Sequence, residues 1–180
     1  MTISTYRGIR PTLGARVFVD PAAAVIGQVT IGEDSSVWPT AVLRGDVHTI
    51  SIGARTSIQD GTVGHVTHDG KYRPGGRALI VGDDVTVGHR VVLHACTIGN
   101  KCLIGMGSII LDDVVVEDLV MIGAGSVVAP GKKLETGGLY VGSPARRVRD
   151  LKPSEIAFLP YSAANYVRLK DEYLAAIDNG

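Results

Sequence analysis

Branched aliphatic residues recur at every sixth position along this chain. The longest series in one phase is Ile98, Ile104, Ile110, Val116, Ile122, Val128 and Leu134. Shorter series in steps of six are Val81, Val87 and Leu93; Val19, Val25, Ile31, Val37 and Leu43; and Ile52 and Ile58. A period of six matches neither an α-helix nor the two-residue alternation of an isolated strand. It is typical of a hexapeptide β-helix, in which each hexad supplies one short strand and one corner.

In such a fold the branched residue of each hexad points inward. The small residue beside it, such as Gly99, Gly105 or Gly123, is expected to permit a tight turn. Three hexads close one triangular coil of about 18 residues, and successive coils stack about 4.8 Å apart. A β-sandwich with chance six-residue spacing is the alternative, and seven residues in phase argue against it. The pattern therefore predicts an all-β solenoid, a parallel β-helix of hexapeptide repeats, over residues 1–145.

The repeat stops near residues 141–144, and residues 146–180 follow a different pattern. Residues 153–155 (Pro-Ser-Glu) resemble a helix start, and Pro160 is expected to break or restart that helix. From there the spacing i, i+3, i+4, i+7 indicates one apolar helix face. Its members are Ser162, Ala163, Tyr166, Val167, Lys170, Tyr173, Leu174 and Ile177. We predict a C-terminal α-helix along the outside of the coils, with its tyrosines in packing contacts.

Composition excludes several classes of protein. A length of 180 residues suffices for one domain with a substantial core, or for one domain with a short appendage. The 18 Lys and Arg balance the 18 Asp and Glu, so the chain has no overall attraction for nucleic acid or anionic lipid. We find no secretory signal and no long apolar run, and Cys96 and Cys102 are too few for a disulfide scaffold. We expect a cytoplasmic protein with reduced thiols and neither nucleic acid nor membrane as a partner.

One long interruption of the repeat is predicted to be a loop that leaves the coil. Seventeen residues lead from Gly64 to Val81, which is one hexad plus 11 residues. Gly and Pro cluster in this stretch, so we place a loop excursion at about residues 66–79. Without the excursion, Leu93 stands one full coil after Gly64. Long excursions from a regular solenoid often carry function.

The phase of the repeat brings two histidines together. His65 and His94 each follow the inward position of their hexad, so they are expected to stack on one face, one coil apart. Two imidazoles so placed can share Zn²⁺ at about 2.0–2.1 Å each. His89 lies two positions after Val87, on the preceding face, and would reach the same metal only across a subunit interface. Three histidines with an open fourth position are typical of a catalytic zinc site.

The histidines belong to an ordered set of motifs. The set is Arg44-Gly-Asp46, Ile58-Gln-Asp-Gly61, His65, Gly88-His89, Leu93-His94, Gly105-Met-Gly-Ser108 and Tyr161-Ser-Ala-Ala-Asn-Tyr166. It resembles the gamma-class carbonic anhydrase family over nearly the whole chain, and most closely its short bacterial, YrdA- or PaaY-like branch. The repeat itself resembles that of the hexapeptide transferases, whose coils are left-handed. The left-handed sense of the coils is implied by this resemblance, because the periodicity does not determine it.

The resemblance implies a homotrimer with metal sites at its subunit interfaces and reversible hydration of CO₂ to bicarbonate by a metal-bound hydroxide. The implied metal is Zn²⁺, with Fe²⁺ or Co²⁺ as alternatives. The implied metal ligands are His65, His89 and His94. The other implied site residues are Gln59, Arg44, Asp46, Asp60 and Tyr166.

These other residues have separate implied roles. Gln59 matches the residue that holds the metal-bound hydroxide or the substrate, although a corner hydrogen bond would also explain it. Arg44 matches a basic residue that pairs with Asp46 or Asp60 at the interface, although a solvated surface pair is the simpler explanation. Tyr166 is expected to approach the site from the helix.

The excursion departs from the best-known family members, which carry a glutamate-rich loop with a proton-shuttling glutamate. Here the loop contains no Glu, and His68, with an ordinary pKa of about 6.5, is our candidate shuttle. Two other functions therefore stay open. One is an acyl-CoA transferase or thioesterase that uses a single histidine as base, and the other is a non-catalytic, metal-binding trimeric scaffold.

Overall fold

The computed structural model describes residues 2–178. The described residues exclude residues 1, 179 and 180. They also exclude the side chain of Ile177, which we predicted to lie on the apolar face of the helix. The chain forms a left-handed parallel β-solenoid of about eight turns with a single C-terminal helix. The predicted fold class is confirmed.

Most strands of the solenoid have only two or three residues, because a corner follows each of these strands. The strands are β1 (Ile3–Ser4), β2 (Thr12–Leu13), β3 (Phe18–Val19), β4 (Ala24–Ile31), β5 (Ser36–Val37), β6 (Val42–Ile52), β7 (Ser57–Ile58), β8 (Val63–His65), β9 (Leu79–Val81), β10 (Thr86–Val87), β11 (Val92–His94), β12 (Thr97–Ile98), β13 (Leu103–Ile104), β14 (Ile109–Ile110), β15 (Val115–Val116), β16 (Met121–Ile122), β17 (Val127–Val128), β18 (Lys133–Leu134), β19 (Gly138–Gly142) and β20 (Ala145–Asp150). The helix is α1 (Pro153–Asp178).

The strands stack into the three faces of a triangular prism. The histidine face consists of β8, β11, β14 and β17, and the second face consists of β9, β12, β15 and β18. Strand β6 turns the corner between them and pairs with both β8 and β9. The helix face runs from β3 through β5, β7, β10, β13, β16 and β19 to β20. Helix α1 packs on the outside of this third face, as predicted.

The six-residue series forms the core. Its members are all buried except Val19, which is partly buried in the first coil. Residues of successive coils pair in register, as Ile104 does with Ile122. Cys96 and Cys102 are buried and free of disulfides, and burial raises the pKa of each thiol to about 12. Both are therefore unreactive core side chains at neutral pH.

The glycines beside the inward residues act differently from our prediction. A Cβ atom added to Gly105 would lie 2.5 Å from the backbone nitrogen of Ala124 in the next coil. These glycines therefore permit close stacking of coils, whereas left-handed corner positions include ordinary residues such as Asp34 (φ 58°) and Asp113 (φ 59°). Coil-to-coil distance, not turn geometry, excludes a side chain at Gly105.

Helix α1 continues through Pro160, so the predicted break was wrong. The helix begins at Pro153 as predicted, and the Lys152 N–H donates to the Glu155 carboxylate at 2.8 Å. Leu159 and Ala163, on either side of the proline, are buried against the coils. Their burial offsets the hydrogen bond that a proline removes from a helix.

Two boundaries also differ from the prediction. Strand β20 belongs to the segment that we expected to be helical, and it pairs antiparallel with β19 at the end of the solenoid. Leu79, which we placed in the excursion, is the first residue of β9. No helix within residues 2–178 has the length and apolar character needed to cross a bilayer.

Tyr166 and Tyr173 of α1 pack against the coils, whereas Tyr161 is exposed. Tyr173 lies 5.5 Å from Phe18 and 5.1 Å from Trp38 between ring centroids, and Tyr166 lies 6.3 Å from Trp38. Between them on the same helix, the ammonium of Lys170 is fully buried. These contacts hold α1 against the first coils, at one end of the candidate site.

Candidate metal centre

His65 and His94 stack on the histidine face. Strands β8 and β11 pair in register, with Gly64 opposite Leu93 and His65 opposite His94. This register confirms the predicted length of the excursion. The two imidazoles project outward from the coils, and His65 Nδ1 lies 3.2 Å from His94 Nε2.

Each of these histidines is held by an aspartate. His65 Nε2 lies 3.0 Å from Asp46 Oδ1, and His94 Nδ1 lies 2.6 Å from Asp112 Oδ1. Burial alone would raise the pKa of both carboxyl groups, but hydrogen bonds, those from the histidines among them, bring each pKa below its usual value. Both aspartates are therefore ionised at neutral pH and can only accept hydrogen bonds.

The protonation of the two ring nitrogens that face each other depends on the tautomer of each ring. In the tautomers in which each ring donates to its aspartate, His65 Nδ1 and His94 Nε2 keep their lone pairs. Two lone pairs at this distance repel unless a cation, either a proton or a metal ion, lies between them. Two nitrogens bound to one tetrahedral Zn²⁺ are about 3.3 Å apart, so the donor set fits zinc.

His89 lies on another side of the prism, in the corner after β10. Its Nδ1 lies 2.9 Å from Asp60 Oδ2, so its Nε2 is the ring nitrogen that is not taken by the aspartate. Within residues 2–178, no group of three or more His, Cys, Asp or Glu side chains is placed to hold one metal ion in a single chain. The structure therefore brings together His65 and His94 but not His89.

We did not predict Asp112 as a site residue, although its spacing from His94 in the repeat indicates that the two residues lie on adjacent coils. Each of the three candidate ligands, His65, His89 and His94, pairs with an aspartate in a neighbouring coil. The separations are 18 residues for His94 and Asp112, 19 for His65 and Asp46, and 29 for His89 and Asp60. The last is one coil plus the 11-residue excursion. An acidic residue one coil away from a candidate histidine ligand, as Asp112 is from His94, is therefore the sequence feature that indicates this partner.

Gln59 and Tyr166 meet at a groove between the helix face and α1. The groove has a volume of about 480 Å³ and is also lined by His89, Met106 and Phe158. Gln59 is buried, and its side chain lines the groove. The amide is therefore available to a ligand in the groove.

The remaining predicted residues are more peripheral. Arg44 pairs with Asp46, and no ion pair within the described chain joins it to Asp60. His68 is exposed in the excursion, and no described hydrogen bond links it to a site histidine. His48 accepts a hydrogen bond from the backbone N–H of Thr49 at 2.8 Å and takes no part in the site.

Comparison with known proteins places this architecture in a family. The family model for the bacterial transferase hexapeptide (six repeats) matches residues 95–130. A crystal structure of a hexapeptide transferase family protein from Anaplasma phagocytophilum has a TM-score of 0.87 and 40% identity, covering 96% of this chain and 98% of that chain.

Two curated relatives are also similar over nearly the whole chain. The protein is 57% identical to Protein YrdA of Escherichia coli (strain K12) over 169 residues, 94% of this chain and 92% of that protein. It is 45% identical to gamma carbonic anhydrase 1, mitochondrial, of Arabidopsis thaliana over 168 residues, 92% of this chain and 60% of the plant protein. The chain thus belongs to the gamma carbonic anhydrase-like family of hexapeptide-repeat proteins, in the branch that contains YrdA.

Proposed function

We propose that this protein is a zinc-dependent, gamma-type carbonic anhydrase that interconverts CO₂ and bicarbonate at the interfaces of a homotrimer. Fe²⁺ and Co²⁺ are alternative metals. The observation that carries the proposal is the set of three His–Asp pairs, in each of which only one ring nitrogen is taken by the aspartate. The likeness to the plant protein named as a gamma carbonic anhydrase supports the choice of reaction.

The three histidines come from two subunits in this proposal. His65 and His94 of one subunit and His89 of its neighbour would hold the ion, because His89 faces away from the other two within one chain. Zinc held by three imidazoles supplies the nucleophile at neutral pH, since it lowers the pKa of water to about 7. Asp46 and Asp60 keep His65 and His89 in the tautomers that present a lone pair.

The groove residues have the complementary task of placing the substrate. Gln59 can donate an N–H bond to an oxygen of CO₂ or bicarbonate, because its side chain lines the groove. Met106 and Phe158 provide an apolar wall that suits the uncharged gas.

An apolar column on the histidine face supports the trimer. Its outward side chains lie in register along successive coils beside His65 and His94. They are Val42, Val63, Val92, Ile109 and Val127. Val63 is 40% exposed in the single chain. Burial of this column against a second copy would be favourable by about 25 cal/mol per Å² of apolar surface.

We expect light scattering of the metal-loaded protein to give about three times the chain mass of 18.9 kDa. Val92→Asp places a carboxylate in the apolar column and is expected to lower the measured mass. Thr97→Asp on the second face is the matched control and should leave the mass unchanged. A stable, metal-replete monomer would contradict the interfacial site.

We expect Gln59→Ala to keep zinc and the trimer but to lose CO₂ hydration. A lost positioning hydrogen bond should reduce kcat/KM by about 10–100-fold. The measurement is stopped-flow hydration on metal-analysed protein, loaded first with zinc and then with iron. Gln28→Ala, in β4 and outside the groove, is the control. Wild-type protein with full zinc and no hydration above buffer would refute the carbonic anhydrase proposal.

The groove favours a second candidate, an acyl-CoA transferase or thioesterase. Its volume of about 480 Å³ is far more than CO₂ requires, and His89 stands in its wall as a potential base. Acyl-CoA turnover that persists without zinc and is lost in His89→Ala would favour this function. Full zinc occupancy without either activity would favour the metal-binding scaffold.

A further inference from the structure

Asp112 connects the candidate ligand His94 to the excursion loop. It lies in the corner after β14, and its Oδ1 accepts a hydrogen bond from His94 Nδ1 at 2.6 Å. Its Oδ2 accepts a hydrogen bond from the hydroxyl of Thr67, near the start of the excursion. Because both carboxylate oxygens are engaged, the group cannot rotate without losing one bond.

The next residue, Asp113, fastens the rest of the excursion. Arg73 Nη1 and Arg77 Nε lie 2.6 and 2.8 Å from its two carboxylate oxygens. The backbones of Thr67 and Arg77 also exchange two hydrogen bonds, of 3.0 and 2.8 Å, which close the loop on itself. One corner of the coil, at residues 112–113, therefore holds both the loop and the imidazole of His94.

We propose that Asp112 is a positioning residue of the metal centre, which holds His94 in the tautomer protonated at Nδ1 and so presents the Nε2 lone pair to the metal. Thr67 supports this role by fixing the second oxygen of Asp112. This inference rests on the proposed zinc site. Carboxylates that orient metal-binding histidines generally affect metal affinity without touching the metal.

The tautomer can be measured without metal. In zinc-free protein labelled with ¹⁵N-histidine, NMR is expected to show His94 protonated at Nδ1. Asp112→Leu replaces the acceptor by an apolar side chain of similar size, so the Nδ1 proton loses its partner and the Nε2-protonated form should become prominent. Asp112→Asn keeps an acceptor oxygen for Nδ1–H and should restore the wild-type tautomer.

Zinc affinity, measured by competition with a chromophoric chelator, should follow the tautomer. We expect Asp112→Leu to weaken binding by about 10–100-fold, Thr67→Val to weaken it less, and Asp112→Asn to recover most of the loss. Asp113→Asn is the matched control, since it weakens the anchoring of the loop without touching His94. It should leave the His94 tautomer and the zinc affinity unchanged.

Each outcome bears on a separate claim. Wild-type His94 protonated at Nε2, or wild-type zinc affinity in Asp112→Leu, would overturn the positioning role while the metal site stands. Equal losses in Asp113→Asn and Asp112→Leu would show that loop order, not the tautomer, controls affinity, and would also overturn it. Wild-type protein that binds no zinc would refute the proposed metal site itself, and the positioning role with it.

Discussion

Replacing His65, His89 or His94 by alanine is expected to remove most of the bound zinc, whereas His48→Ala should leave it in place. Each of the first three has one nitrogen on an aspartate and one free for metal, but His48 is bonded to its own neighbour. Removal of one of three protein ligands leaves too few donors for tight binding. Metal analysis after gel filtration measures the loss.

His89→Ala is the most informative of these variants, because its side chain lies on a different face from the other two. If the site is interfacial, subunits that carry His89→Ala and subunits that carry His65→Ala should complement each other when refolded together. Each mixed trimer would then contain one interface with all three ligands intact. Full zinc in His89→Ala alone would remove this residue from the site, and failure of the mixture to regain zinc would contradict the shared interface.

Asp34→Asn is expected to lower the free energy of unfolding by about 3 kcal/mol, because it leaves a buried ammonium with only one, half-exposed carboxylate partner. The Lys170 ammonium is fully buried and lies 2.9 Å from Asp34 Oδ1. Its other partner, the carboxylate of Asp171, is half exposed. Asparagine keeps the size of Asp34 and tolerates its left-handed backbone (φ 58°), so the change isolates the charge.

Lys170→Met is the matched control for this prediction. It removes the buried charge and keeps an apolar chain of similar volume, while Asp34 stays paired with Arg16. We expect a loss of less than about 1.5 kcal/mol in urea denaturation. Equal losses in the two variants would show that the ion pair itself stabilises the fold and that a stranded ammonium is not the cause.

The contribution of Asp34 should depend on pH. A hydrogen bond from Arg16 lowers the pKa of Asp34, burial opposes this shift, and Lys170 adds to it. Because the folded pKa lies below the unfolded value of about 3.9, the stabilisation is complete above that pH and is lost as pH falls through the folded pKa. The stability difference between wild type and Asp34→Asn should therefore be constant near neutrality and shrink below about pH 4.

Two predictions from local sequence were wrong, those for Pro160 and Gly105, because tertiary packing determines the structure at these positions. A proline such as Pro160 ordinarily ends a helix, but Leu159 and Ala163 are buried against the coils, and their burial keeps α1 continuous at this position. Glycine is typical of turns, yet at Gly105 a side chain is excluded by the backbone of Ala124 in the next coil. Each outcome depends on atoms of a neighbouring coil, which a local pattern does not specify.

The periodicity alone was sufficient to predict the solenoid, its core series and the pairing of His65 with His94. Each hexad is one strand and one corner, so counting residues is equivalent to counting positions around the prism. Only the tertiary structure showed which ring nitrogens face each other, that Asp112 holds both His94 and Thr67, and that Lys170 pairs with Asp34, 136 residues away. The spacing of the repeat determines the face on which a residue lies. The direction of a side chain and the state of its protons depend on partners that only the packed coils bring within hydrogen-bonding distance.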